Sequence, residues 1–210
     1  MYPNPLQKLI DIFTKFPGIG PRQAARFAFF VLRESEGLKD ALASALKETE
    51  ERIGFCAQCF RTIEKRTADE PSLCAFCRDP KRDQGRIAVV EKESDAQSIE
   101  KTGAHQGVYH ILGGIISPLD PDSPKKIHLR ELYERVKKAG EARSEVEVIL
   151  ATSATTEGDT TALYIERILM PLKEQNPALK ISRLGRGLSL GSELEYADEV
   201  TIKNALNNRR

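Results

Sequence analysis

The chain has 210 residues, of which 40% are hydrophobic and 30% charged, and its formal net charge is +1. This length supports one mid-sized core with a small appended module, and no apolar run is long enough to cross a membrane. The near-neutral charge excludes a uniformly basic surface, so a nucleic-acid contact would have to come from a local patch. Few aromatic residues and no Trp argue against a broad base-stacking surface.

Residues 5–53 carry the apolar spacing of three helices. The first ends near Phe16, the second begins at Pro21, and the third runs from Leu38 to Ile53. The residues expected to face inward on the three helices are Leu6, Leu9, Ile10 and Phe13, then Ala24, Ala25, Ala28, Phe29 and Leu32, then Leu42, Ala45 and Leu46.

The first two helices are joined by the turn Phe16-Pro17-Gly18-Ile19-Gly20-Pro21, which resembles a helix-hairpin-helix. That module holds the DNA backbone without reading sequence. Gly18 and Gly20 let backbone N–H groups approach a phosphate, and the N-terminus of the next helix adds positive partial charge. Arg22 and Arg26 are one helical turn apart and can follow one phosphate track. Motif and charge together favour DNA binding over a plain connector with two solvated arginines.

The four cysteines form two CxxC pairs, Cys56 with Cys59 and Cys74 with Cys77. Two such turns supply four thiolates in a tetrahedron, which predicts one structural Zn²⁺. A catalytic zinc is excluded because four protein ligands leave no position for water. Two disulfides would suit a secreted chain, and a thioredoxin-like pair would need a single CxxC at the start of a helix.

The segment between the cysteine pairs, residues 60–73, is too charged to bury a core of its own and needs a cross-link to be ordered. The N-terminus does not have the pattern of a signal peptide, so we expect reduced cysteines and a cytoplasmic protein. Residues 78–83 form a charge-mixed connector, which we interpret as a solvated linker.

From Gln84 onward, strands alternate with helices, which predicts a mainly parallel sheet with helices on both faces. Functional loops in such sheets follow the carboxyl ends of the strands. The expected strands cover residues 87–90, 108–112, 146–151 and 180–183, and the expected helices cover residues 94–101, 128–139, 160–172 and 199–206.

Two loops of this α/β region resemble those of a Toprim domain, the fold of topoisomerases and DnaG-type primases. Glu91 follows the first strand, and Glu157-Gly158-Asp159 ends the motif after the third. Catalytic members carry two further aspartates where this chain has Ser153 and Thr155, so most of the charge that would hold Mg²⁺ is missing. We expect no catalysis, while a weak Mg²⁺ site on Glu91, Glu157 and Asp159 or a solvated acidic loop both stay open.

The last segment, residues 183–198, is punctuated by glycines but lacks the third glycine of a dinucleotide fingerprint, because Leu190 stands there. No Gly-Lys-Ser/Thr follows, so it is not a P-loop either. By itself this segment has no assigned role.

The order of hairpin, four-cysteine site, degenerate Toprim region and terminal Glu-Leu-Glu-Tyr-Ala-Asp segment resembles the RecR family of bacterial recombination mediators. The likeness covers nearly the whole chain, although the loop between the cysteine pairs is longer than is usual for the family. The fold class is then α+β with several modules. These are a helical DNA-binding region over residues 1–54, a zinc finger over 55–80, a Toprim domain over 81–184 and a C-terminal oligomerisation segment over 185–210.

The resemblance implies a protein without catalytic activity that binds DNA, works with RecO and RecF, and helps to load RecA at single-strand gaps. It also implies a homo-oligomer, a ring-shaped tetramer or a dimer, joined through the N-terminal helices and the C-terminal segment. Arg22 and Arg26 would then line the DNA-facing hole. Glu91 and the acidic loop with Glu157 and Asp159 would lie in the region used with RecO.

Two other functions remain open from the sequence. One is a Mg²⁺-dependent Toprim enzyme that cuts or transfers DNA strands. Against it stand the two missing aspartates and the absence of an evident nucleophilic tyrosine. The other is a zinc-stabilised scaffold that binds only proteins, which would have no use for the hairpin and its arginines.

Overall fold

The protein is described from a computed structural model covering residues 2–65, 72–188, 191, 193–207 and 209. Part of the loop between the cysteine pairs, residues 66–71, and part of the glycine-rich terminal segment lie outside the described residues. The chain forms two compact units, divided between Ile53 and Gly54. In the part of the chain that is described, no helix is both long and apolar enough to span a membrane.

The first unit consists of three helices, α1 (Asn4–Phe13), α2 (Pro21–Arg33) and α3 (Glu36–Arg52). Helices α1 and α2 enclose a small core made of Ile10, Ala24 and Ala28, which are almost fully buried. Small alanine side chains let the two backbones approach closely, as the sequence predicts.

The predicted inward face of α3 is wrong. No residue of α3 is buried, and Leu42 and Leu46 are 44% and 66% exposed. Leu32 at the end of α2 is likewise exposed. The helical spacing of these apolar residues was identified correctly, but the unit contains no second layer against which they could pack.

Among the described residues, the second unit contains a two-stranded sheet, a four-stranded sheet, five α-helices and two short 3₁₀ helices, Ser123–Lys126 and Leu194–Tyr196. The small sheet pairs β1 (Ile53–Phe55) with β2 (Thr62–Glu64) and is followed by the short helix α4 (Ala75–Arg78). The remaining elements are β3 (Asp83–Val90), α5 (Glu93–Lys101), β4 (Gly107–Ile111), α6 (Leu129–Ala142), β5 (Val146–Ala151), α7 (Thr156–Gln175), β6 (Leu179–Arg183) and α8 (Glu199–Asn207).

The large sheet is parallel throughout, with strand order β4-β3-β5-β6. Alternate residues of each strand point to opposite faces. Ile87 and Val89 join the larger core, which includes the buried residues of α6 and α7. Ala88 and Val90 join a smaller core with Ala96 of α5. The expected parallel sheet with helices on both faces is confirmed.

Several helix boundaries differ from the sequence prediction by a few residues, and two of these differences have a local cause. Helix α6 continues through Gly140 to Ala142, because a glycine inside a helix weakens it without ending it. Helix α7 begins four residues earlier than expected, at Thr156, since the Thr155 side chain accepts a hydrogen bond from the Gly158 N–H and caps the helix.

Candidate functional site

The hairpin turn of the first unit is built by its two glycines. Gly18 has a φ of +78°, which favours glycine, and Gly20 is extended and precedes Pro21 at the first position of α2. A side chain added at either glycine would meet nothing within 4 Å, so the backbone of the turn is open to a ligand. Ile19 packs against the small core and fixes the turn from inside.

Arg22 and Arg26 both lie exposed in the first turns of α2. Arg26 donates a hydrogen bond to Gln23 at 3.3 Å, and neither arginine forms an ion pair among the described residues. The two guanidinium groups are therefore available to an anion near the positive end of the helix.

In the second unit, the four cysteines come together as a metal centre. Their Sγ atoms all lie within 4.8 Å of one another, and all four side chains are buried. The backbone N–H groups of Cys74 and Cys77 donate to the sulfurs of Cys56 and Cys74, at 3.3 and 3.4 Å. Amide donors of this kind stabilise thiolates, so the donor set fits a closed tetrahedral site for a soft cation.

The four sulfurs do not carry four negative charges without a cation. Hydrogen bonding by Cys59, Cys74 and Cys77 lowers the pKa of Cys56, whereas hydrogen bonding with Cys56 raises the pKa of Cys59. Protons are thus retained on part of the cluster unless a metal ion replaces them.

The turn Cys56–Phe60, which we call the knuckle, contacts the large sheet directly. The Cys59 carbonyl accepts a hydrogen bond from the Ile111 N–H at 2.9 Å. Phe60 has a φ of +62° and stacks on the His128 ring, with centroids 3.8 Å apart. This stacking offsets the strain of a left-handed non-glycine residue.

Two glutamates of α5 hold the cysteine region against the sheet, and sequence reasoning missed both. Glu93 accepts hydrogen bonds from Arg61 and from the Thr62 N–H, each at 3.0 Å, while Glu100 pairs with Arg82 and accepts from the Tyr109 hydroxyl at 2.7 Å. Burial acts to raise the pKa of both carboxyls, but the hydrogen bonds outweigh burial and lower each pKa.

Arg82 is therefore not part of a solvated linker, as the sequence suggested. Its guanidinium and that of Arg61 lie 4.1 and 4.4 Å from the centroid of the Phe76 ring. The charge-mixed sequence gives no sign of this packing, because the partner carboxylates lie in helix α5, which starts eleven residues after Arg82.

Glu91, directly after β3, is only 8% exposed and is hydrogen-bonded to the Toprim-like loop that follows β5. The two Glu91 carboxylate oxygens accept hydrogen bonds from the N–H and hydroxyl of Ser153, at 2.8 and 2.9 Å. Ser153 and Thr155, which replace the catalytic aspartates, thus serve as the partner of Glu91 and the cap of α7.

Asp159 is held by two arginines at the end of the sheet. Arg186 forms a two-pronged ion pair with it, and Arg183 approaches at 3.4 Å while also binding Glu166 at 2.8 Å. Hydrogen bonding from Arg186 lowers the pKa of Asp159. Both oxygens of the Asp159 carboxylate are therefore engaged by guanidinium groups.

The weak Mg²⁺ site, one of the two alternatives that the sequence leaves open for this loop, finds no support in this geometry. Glu91 and Asp159 are each engaged by other groups, and Glu157 lies partly exposed in the first turn of α7. Throughout the described ranges, the four cysteines are the one group of three or more His, Cys, Asp or Glu side chains close enough together to hold an ion.

Three family descriptions match the chain in sequence order. Residues 6–49 match the RecR helix-hairpin-helix, residues 85–185 match the Toprim domain, and residues 187–210 match the RecR C-terminal region. Curated relatives are similar along their full length. The protein named "Recombination protein RecR" from Cutibacterium acnes is 44% identical over 209 residues, covering 100% of this chain and 96% of the relative.

Relatives of the same name show similar agreement. The protein from Rippkaea orientalis is 42% identical over 210 residues, with 100% of this chain and 98% of the relative covered. The protein from a Cyanothece species is 40% identical over 210 residues, with 100% and 97% covered. With its hairpin, its four-cysteine centre and its parallel sheet in the order expected, the chain belongs to the RecR family of recombination proteins.

Proposed function

We propose that this protein is a DNA-binding recombination mediator in DNA repair and not an enzyme. The observation that carries the proposal is the open Gly18–Gly20 turn, followed by Arg22 and Arg26 without ion-pair partners in the described chain. Backbone N–H groups and two guanidiniums at a helix N-terminus suit phosphate, and they carry no means of reading bases. The acidic loop supports the absence of catalysis, because the carboxylates of Glu91 and Asp159 are engaged within the protein.

The bound ion of the cysteine centre is Zn²⁺ in this proposal. Four buried thiolates in a closed set favour zinc over the oxygen-seeking Mg²⁺ or Ca²⁺. The cysteines are free of disulfides, which fits the reducing cytoplasm. The ion is structural in this proposal and takes no part in any reaction on DNA.

We also propose that the protein assembles into a homo-oligomer, a ring or a dimer. The first unit leaves large apolar side chains uncovered, and so does the C-terminal segment. Those of the first unit include Ile12, Phe16, Phe27, Phe30, Leu42 and Leu46, and those of the C-terminal segment include Leu194, Tyr196 and Val200. Exposed apolar surface on this scale is typical of an interaction face.

Changing Arg22 and Arg26 together to Glu is expected to abolish most DNA binding. Charge reversal removes two phosphate contacts per chain, so affinity for a gapped duplex should fall about 100-fold at low salt and the salt slope should drop by about 2 per chain. A mobility shift with Mg²⁺, followed by a denaturing gel of the same DNA, measures both binding and strand integrity.

The matched control changes Lys39 and Lys47 of α3 to Glu, which removes equal charge from the same unit. Intact strands with a shift that only the arginine variant loses would support the proposal. Cut or rejoined strands would instead show an enzyme. A shift that survives in the arginine variant would place DNA binding elsewhere in the chain.

RecO and RecF are the proposed protein partners, and the acidic loop is the proposed contact for RecO. Glu91 is buried and bonded to Ser153, so we infer that it shapes the loop, whereas Glu157 offers its charge at the surface. Changing Glu157 to Lys should weaken RecO binding about tenfold through lost charge complementarity, with DNA binding retained.

The matched control for this loop is Glu174→Lys, an exposed charge reversal near the other end of α7. Titration calorimetry with purified RecO distinguishes the two variants. Equal affinity for RecO in Glu157→Lys and wild type would refute the contact.

A further inference from the structure

We propose that a cleft between the knuckle and helix α6 is a second nucleic-acid site, which binds the backbone of single-stranded DNA. The cleft has a volume of about 500 Å³, and its walls include Gln58 and Phe60 on one side and Arg130, Lys138 and Arg143 on the other. This site lies in the second unit and is separate from the hairpin. It goes beyond the proposed function but rests on it for the identity of the ligand.

Three basic groups in the cleft are free to bind an anion. Arg130, Lys138 and Arg143 are exposed, and none has an ion-pair partner within the described parts of the chain. Other arginines of this unit are engaged, such as Arg61 with Glu93 and Arg82 with Glu100. Unpaired cations gathered at a concave surface concentrate positive potential there.

The cleft is held open by a fourth basic residue with a different role. Arg135 donates to the carbonyls of Gln58 and Tyr109, at 3.1 and 2.6 Å, so it fastens α6 to both the knuckle and the sheet. Phe60 is fixed by its stacking on His128. Both walls are therefore pre-formed, which reduces the entropy lost when a ligand binds.

The spacing of the charges fits an extended strand better than a single small anion. Arg130 and Lys138 are eight residues apart on α6, which corresponds to about 12 Å along the helix. Arg143 continues the row at the helix C-terminus. A chain of phosphates can contact all three groups in turn, whereas an isolated phosphate cannot.

The remaining lining favours a nucleic acid over an acidic peptide. Phe60 provides partly exposed apolar surface, and the amides of Gln58 and Gln84 provide donors and acceptors suited to base edges. Glu131 and Glu134 also line the cleft and reduce its net positive charge.

The test measures binding of a fluorescein-labelled oligothymidylate by anisotropy across a range of salt concentrations. The cleft variant carries Arg130→Gln, Lys138→Gln and Arg143→Gln, and the control carries Lys101→Gln, Lys173→Gln and Lys180→Gln, which are exposed lysines of the same unit. Each triple variant is measured with the native hairpin and with Arg22→Gln and Arg26→Gln. Thermal melts establish that all variants remain folded.

We expect the cleft variant to bind about tenfold more weakly in both backgrounds, with a salt slope reduced by about 2 per chain, and the control to bind like its parent. Equal losses of affinity in the cleft and control variants would show that binding depends only on the overall charge of the protein, and would overturn the proposal. Unchanged binding in the cleft variant, or no residual binding once the hairpin arginines are changed, would overturn it while leaving the hairpin function intact.

Three outcomes separate this proposal from the others. Polyglutamate and unlabelled oligothymidylate are compared as competitors of the labelled strand. If polyglutamate competes equally well, and does so only when the cleft is native, the cleft binds acidic protein and not DNA. If the wild-type protein binds no single strand at any salt concentration but shifts a gapped duplex, the cleft proposal fails alone. If it binds neither, both proposals fail.

Discussion

Replacing Cys59 with Ser should release the metal ion and lower the stability of the second unit by about 5 kcal/mol, which corresponds to a fall in Tm of about 10–20 °C. Cys59 is 1% exposed, and its sulfur lies 3.5 Å from that of Cys74. A hydroxyl is a poor ligand for a soft cation, and without the ion the three remaining buried sulfurs would take up protons and lose the bonds that join the two CxxC turns. The destabilisation extends beyond loss of the ion, because the same turn positions the Cys59 carbonyl that accepts a hydrogen bond from the Ile111 N–H of the large sheet.

Scanning calorimetry and metal analysis by mass spectrometry check this result. The control is Ala57→Ser, which adds a hydroxyl to an exposed position of the same knuckle without touching a ligand. A Cys59→Ser protein that keeps one ion per chain and melts with the wild type would show that the centre does not stabilise the fold.

The second large effect is expected at Gly158, in the first turn of α7. A Cβ added there would overlap the carbonyl oxygen of Ser153 and come within 3.1 Å of a Glu91 carboxylate oxygen. Changing Gly158 to Ala should therefore push the Ser153 loop away and break its hydrogen bonds with the buried Glu91. We expect a loss of about 3 kcal/mol in the free energy of unfolding, since Glu91 would be left buried without its partner.

Gly185→Ala is the matched control, because a Cβ there meets nothing within 4 Å. That change should be neutral or slightly stabilising, as it restricts the unfolded chain. Urea unfolding followed by circular dichroism measures both variants. Equal midpoints for the two proteins would mean that the loop tolerates displacement and that Glu91 has no structural role.

Much of the fold was predictable because its signals are local. The segments Ile87–Val90 and Val146–Ala151, set between helices, predicted parallel strands, and the sheet confirms them. The apolar face of α3 was the main failure. Periodicity shows that a helix has an apolar side, but the burial of that side depends on partners that the spacing does not describe.

The sites were predictable to different degrees. The spacing of the four cysteines determines their convergence, since few ligand geometries suit two CxxC turns. The hairpin arginines remain a prediction, because exposure permits DNA contact without demonstrating it. The hydrogen bonds of Glu93, Glu100 and Arg135 could not be predicted from the sequence. Each joins residues far apart in the chain through long side chains, and no sequence motif marks them.

The metal centre also has a consequence for aggregation. Strand β4 is the last strand of the sheet, and backbone groups that β3 leaves unpaired would invite a strand from another molecule. The Ile111 N–H is covered by Cys59, and carbonyls of Gly107, Tyr109 and Ile111 are covered by side chains of Arg82, Arg135 and His128. Loss of the ion would loosen this cover, so a protein stripped of metal should polymerise edge to edge before it unfolds.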